Sequence, residues 1–253
     1  MAQLKFLVAL LSAVVTLPIG STARECYVDG TDKGRFHSLL VKTYPQLNQF
    51  KGCTTLIGSL DIAPTFSGDL ELRGVKNVTG SISVFGALEE ISLPDLEYIG
   101  EVTLFERHRV KRLLLPRVTR VKALHISQPR GFFFDLGFLT CAEAISLDGP
   151  WSRISFPSLE HVELKLSFDT QLPWASKGYP RDPAPIDIEL PALRRVGGLS
   201  LEGDIRSLST PKLEAIVDGG LRVSAQQADL PAVDMPSLKS LDTRLSLWGR
   251  ISR

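Results

Sequence analysis

Apolar residues recur along this chain in a fixed relation to proline. The clearest copy is "ISLPDLEYIGEVTL", 91–104, where Leu93 and Ile91 stand one and three before Pro94 and Leu96 and Ile99 stand two and five after it. The same frame recurs around Pro116, Pro157, Pro191 and Pro236, and around Pro211 with Thr210 in place of the apolar residue before it. Each unit closes on an apolar-x-apolar pair: Leu60/Ile62, Ile82/Val84, Val102/Leu104, Leu124/Ile126, Ile145/Leu147, Leu164/Leu166, Leu199/Leu201, Leu221/Val223 and Leu245/Leu247. Alternation of this kind is the mark of a strand with one buried face. Proline donates no ladder hydrogen bond, so it belongs at a turn between two short strands and not inside one.

Most copies are about 20–22 residues apart, a spacing within the range of leucine-rich and related solenoids. A unit that short cannot bury its own apolar face. Stacked coils can, with strands about 4.8 Å apart. The expected fold is all-β: a right-handed parallel β-solenoid. The residue inside each closing pair faces outward, giving a column Asp61, Ser83, Thr103, His125, Ser146, Lys165, Ser200, Arg222 and Ser246. One interval is too long. Between Pro157 and Pro191 lies "DTQLPWASKGYPRDPAPID", 169–187, a Pro-rich segment that reads as a loop, either a binding loop or a tolerated insertion or hinge between sub-solenoids.

The first 23 residues depart from the repeat. Lys5, an apolar run over 6–15, Pro18 and Gly20, then Ser21-Thr22-Ala23 have the build of a secretory signal peptide cut after Ala23. No later segment is long and apolar enough to span a membrane. Secretion favours cysteine pairing. Cys26 and Cys53 bracket a stretch that lacks the later proline frame, whose middle, 35–44, is expected to form a short helix. A Cys26–Cys53 bridge would close 24–53 into an N-terminal cap. The remaining organisation is a first solenoid over 54–168, the inserted loop, and continuing coils over 188–253. Cys141 is left over. One register places it outward with Tyr98, Arg120 and His161; a one-residue shift buries it as a small hydrophobe, the simpler expectation.

The segments "CTTLIGSLDI", "SGDLELRGVKNVTGSISV" and "ISLPDLEYIGEVTL" look like successive coils of receptor L-domains. They most resemble the fungal GPI-anchored cell-wall organisation proteins. The resemblance covers most of the expected mature chain and is a signature of fold more than of site. It implies display at the cell surface or in the wall, a role in wall integrity or adhesion, and no catalytic residues. Members usually continue into a Ser/Thr-rich stalk and a GPI tail. This sequence stops at "LSLWGRISR", so the expectation is secretion without an anchor, or a truncated sequence. The family is glycan-rich; here one acceptor sequon, Asn77-Val78-Thr79, is placed outward by its register, for a glycan or as an unused surface Asn.

Composition changes this picture little. The formal net charge is +1, which points to no nucleic-acid partner. No motif for a metal, a phosphate, a cofactor or a catalytic nucleophile occurs. Of the histidines His37, His108, His125 and His161, only His125 lies in the outward column, without a carboxylate beside it there, so no enzyme is expected.

Two surfaces are candidates for binding. The outward column two positions beyond the first contains Phe85, Phe105 and Trp248; with His125 it forms a possible ligand face, although the rings would instead pack under a loop if the sheet turns there. A basic stretch carries Arg107, Arg109, Lys111, Arg112, Arg117, Arg120 and Lys122 in one coil; it would contact an anionic polymer, or be a solvated face balanced by acids on neighbouring coils. The expected partner is wall polysaccharide or a surface protein. The other class is a soluble receptor-like ectodomain, or a host-directed secreted factor, binding a protein ligand.

Overall fold

The structure is a computed structural model, and it describes residues 23–28, 37–105, 109–127, 132–149, 151, 153–170, 185–203, 205–229, 232–242 and 244–250. The expected signal peptide, except Ala23, lies outside the described residues, as do Arg107, His108 and most of the inserted loop.

In chain order the elements are β1 (Glu25–Tyr27), β2 (Ser38–Val41), α1 (Tyr44–Asn48), β3 (Thr55–Ile57), β4 (Ser59–Ile62), β5 (Ser67–Glu71), β6 (Asn77–Val84) and β7 (Ala87–Ser92). There follow β8 (Tyr98–Leu104), β9 (Arg112–Leu114), β10 (Arg120–Ser127), β11 (Phe133–Asp135), β12 (Cys141–Asp148), β13 (Ile154–Ser155) and β14 (His161–Asp169). The remaining strands are β15 (Ile186–Glu189), β16 (Arg195–Glu202), β17 (Ile205–Ser209), β18 (Ala215–Asp229), β19 (Ala232–Asp234), β20 (Ser240–Leu241) and β21 (Leu245–Arg250).

One long parallel sheet runs β1-β3-β6-β8-β10-β12-β14-β16-β18-β20, with β2 and β4 beside its start and β21 beside β18. Opposite it lie two four-stranded sheets, β5-β7-β9-β11 and β13-β15-β17-β19. This is the stacked β-solenoid that the repeat requires. Its core is the column of closing pairs and proline-frame residues: Ile82, Val84, Val102, Leu104, Leu124, Ile126, Ile145 and Leu147 are all buried, and so are Ile91, Leu93, Leu113 and Leu115 from the facing strands.

The prolines sit where the chain turns from the second sheet into the long one. Leu96 N–H donates to Leu93 O at 3.2 Å, closing a four-residue turn with Pro94 at its second position. The same bond closes at Val118 to Leu115, Leu159 to Phe156, Leu193 to Leu190, Leu213 to Thr210 and Leu238 to Met235. Proline's fixed φ suits that position, and its missing N–H is not needed there. One coil without proline keeps the turn: Leu139 N–H donates to Leu136 O, with Gly137 in proline's place.

The N-terminal region corrects the expected helical cap. Residues 38–41 are strand β2, paired with β4 so that Leu39 lies opposite Leu60 and Val41 opposite Ile62. The reason is period: "SLLV" alternates, and Leu39/Val41 is a closing pair one coil earlier than the first one read from the sequence. Among the described residues helix is confined to one turn, Tyr44–Asn48, opened by Pro45 and by Gln46 Oε1, which accepts from Thr43 N–H at 3.0 Å. The disulfide Cys26–Cys53 is present, with its Cα atoms 5.9 Å apart. It ties β1 to the end of that first coil.

Across the inserted segment both sheets stay paired, β13 with β15 and β14 with β16. The interruption in the second sheet comes earlier, between β11 and β13. An aromatic cluster fills that place. Trp151, buried, stands edge-on to Phe132 and Phe134 at 5.8 and 5.7 Å, and Phe134 lies 5.2 Å from Phe156.

Candidate functional site

The outward face of the long sheet gathers the expected ligand residues. Val84 pairs Leu104 and Leu104 pairs Ile126, so the next residues, Phe85, Phe105 and Ser127, follow one another on adjacent coils. The register then runs Ser127, Asp148, Asp169, Glu202, Ser224 and Trp248. One row therefore begins in two phenylalanines, passes through hydroxyls and carboxylates, and ends in a tryptophan.

Both ends are open to solvent. Phe85 and Phe105 are 46% and 44% exposed, and Trp248 is 68% exposed. The two phenylalanine rings stack at 4.7 Å with 18° between their planes. Burial of the pair under a loop is thus not what occurs; they form a small apolar platform. At the other end, Glu202, Arg222, Ser224, Trp248 and Gly249 line an open depression of about 570 Å³. An aromatic floor flanked by an acid, a guanidinium and a hydroxyl supplies both an apolar surface and donors and acceptors.

In the middle of the row, Asp148 accepts from Ser127 Oγ at 3.3 Å and from Ser146 Oγ at 3.4 Å. Partial burial pushes its carboxyl above the ordinary carboxylate range, while these two hydroxyls and the charges of His125 and Lys165 oppose that shift.

The neighbouring column is Ser83, Thr103, His125, Ser146, Ser167, Ser200, Arg222 and Ser246. It corrects the sequence reading at one position. Ser167, not Lys165, occupies this column, and the buried pair of that coil is Leu166/Phe168. Lys165 lies opposite Ala144 and Gly198. The cause is a bulge: β14 has Glu163 and Leu164 where β12 has Glu143 alone, and Leu164 is pushed out to 62% exposure. His125 is exposed between Thr103 and Ser146, as its place in the pattern predicts.

The basic stretch does not form one patch. Lys111 and Arg112, beside and on β9, pair with Glu89 and Glu90 of the preceding coil at 3.5 and 2.9 Å. Arg117, in the turn, pairs with Asp95 at 3.3 Å. Arg120 and Lys122 face out of the long sheet, on the opposite side of the solenoid from Lys111 and Arg112. Arg109 is exposed just before β9. Coil stacking spreads these charges around the perimeter and neutralises half of the described ones.

Cys141 takes the outward register, half-exposed and free, between Arg120 and His161 on adjacent strands. The expectation of burial fails because Leu139 and Ala142 fill the inward slots of that coil. Asn77 opens β6, half-exposed, with Nδ2 donating to Thr55 Oγ1 at 3.4 Å, while Thr79 Oγ1 accepts from Gly58 N–H at 3.1 Å. His37 is half-exposed against the Tyr27 ring at 5.2 Å.

The row members Ser127, Asp148, Asp169, Glu202 and Ser224 were not singled out from the sequence. Ser127, Asp148, Glu202 and Ser224 each follow the second residue of a closing pair, as Phe85, Phe105 and Trp248 do, but Asp169 does not, because the pair read from the sequence in its coil is Leu164/Leu166. Among the described residues, no group of three or more His, Cys, Asp or Glu is arranged to hold a metal ion, and no helix is long and apolar enough to cross a membrane. No family model matches the chain, and neither the curated proteins nor the solved structures contain a significant match to it.

Proposed function

We propose that this protein is a secreted, non-catalytic recognition protein that binds polysaccharide at the cell surface or in the wall. The observation that carries the reading is the exposed, stacked pair Phe85–Phe105 on the open face of the long sheet. Sugars present an apolar C–H face that stacks on such rings, and they present hydroxyls to flanking polar groups. Soluble proteins seldom leave two stacked phenylalanines in water without use for them. The resemblance of the coils to fungal cell-wall organisation proteins supports the same assignment, and so does a disulfide that suits an oxidising compartment.

Sedimentation of the purified protein with insoluble wall polysaccharide tests the reading. Wild-type protein is expected in the pellet, and the double variant Phe85→Ala/Phe105→Ala in the supernatant. No reducing ends should be released during the incubation. A protein that stays in the supernatant with every wall fraction, and instead captures one secreted protein in stoichiometric amount, would favour a receptor-like role.

A further inference from the structure

We infer that the polysaccharide is a linear, neutral chain that lies along the solenoid axis and is held at both ends of the row. This rests on the proposed polysaccharide binding and adds the ligand's shape and charge. The row from Phe105 through Ser127, Asp148, Asp169, Glu202 and Ser224 to Trp248 advances one coil at a time. Six steps of about 4.8 Å separate its aromatic ends by roughly 29 Å. That step is close to the length of one pyranose in an extended chain, so each sugar meets the same part of successive coils. A compact or heavily branched glycan cannot follow a row one residue wide.

The polar groups between the platforms fix the charge. Asp148, Asp169 and Glu202 succeed one another on adjacent coils. Carboxylates accept hydrogen bonds from sugar hydroxyls and repel an anionic polymer where it crosses these three coils. On one side of them Ser127, whose hydroxyl donates to Asp148, leaves its oxygen to accept; on the other, Ser224 lines the Trp248 depression but is only 7% exposed. At the Trp248 end, Glu202 and Arg222 line the same depression as the ring and offer an acceptor and a donor fork to neighbouring hydroxyls of the terminal sugar.

Two platforms that far apart make affinity depend on chain length. A short oligosaccharide engages one platform at a time. A chain that spans both makes the second contact intramolecular, which raises apparent affinity by about 100-fold or more. Isothermal titration should use soluble mixed-linkage β-gluco-oligosaccharides of three and of eight units, with an eight-unit oligogalacturonate as the anionic control. The expected result is an octasaccharide bound about 100-fold more tightly than the trisaccharide, and no heat from the oligogalacturonate. Trp248→Ala, an exposed position outside the core, should bring the octasaccharide down to trisaccharide affinity while leaving trisaccharide binding at the phenylalanine end. An octasaccharide bound no more tightly than the trisaccharide, or an oligogalacturonate bound as well as the glucan, overturns this inference and leaves polysaccharide binding standing. Failure of every sugar to bind removes both.

Discussion

Asp148 shows how a single residue in the row couples the face to stability. Partial burial holds its carboxyl above the ordinary carboxylate range, against the hydroxyls of Ser127 and Ser146 and the charges of His125 and Lys165. The folded chain therefore holds this proton more tightly than the unfolded chain does. Its contribution to stability is fully present below the unfolded pKa and is lost as pH rises through the raised folded value. Asp148→Asn keeps an oxygen that accepts from the two serines and removes the charge. The difference in Tm, variant minus wild type, should therefore rise through the acid range and level off towards neutral pH. Parallel Tm curves across that range would show that Asp148 ionises as freely in the fold as out of it. The phenylalanine platform at this scale was legible from the sequence, because an apolar residue in an outward slot contradicts the alternation around it. The carboxylates were not, since an acid in an outward slot is what any solvated sheet face carries.

Among the elements, the bulges decide which residues face where, and they explain the one column that the sequence misplaced. The inward residues Ile99 and Val102 of β8 are three apart, whereas Val78 and Ile82 of β6, and Val162 and Leu166 of β14, are four apart. The longer interval holds the extra residue. Leu164 lies inside such an interval and looked like a core leucine; spacing within the coil, not hydrophobicity, identifies it as exposed. On the following coil a glycine stands against each of these two bulges, Gly100 facing Thr79–Gly80 and Gly197 facing Glu163–Leu164. A Cβ on Gly100 would sit 2.5 Å from Gly80 O and 2.7 Å from Thr79 O, both backbone atoms that cannot rotate away. Gly100→Ala should cost about 1–3 kcal/mol, measured by urea unfolding. A cost near zero would mean that the bulge relaxes freely. The N-terminal coil was half legible. Its closing pair Leu39/Val41 stands 21 residues before Leu60/Ile62, on period, but without a proline frame it was read as a helix.

At the scale of the whole molecule the two ends of the solenoid are unlike. At the start, Cys26–Cys53, buried Phe50 and α1 close the first coil, and the bridge, spanning 27 residues, is worth about 3–4 kcal/mol by loop entropy. At the other end, Leu245 and Leu247 occupy core positions of the pattern yet are 54% and 52% exposed, whereas Leu221, their neighbour one coil inward, is 7% exposed. In a stacked array each coil is stabilised by its neighbours, so opening propagates from the end with least buried contact. Amide exchange should be fastest in β21, slower coil by coil through β18 and β16, and slowest between β6 and β12. Leu124→Ala, in a central coil, should cost about 2–5 kcal/mol and speed exchange throughout, while Leu221→Ala should speed it only from β16 onward. Equal acceleration by Leu221→Ala at β3 and β6 would show that the solenoid opens as one unit. The same gradient bears on binding, because Trp248 sits on the coil that opens first. A chain held at both Phe105 and Trp248 must pin that coil, so a bound octasaccharide should slow exchange in β21 more than in any strand nearer the phenylalanines.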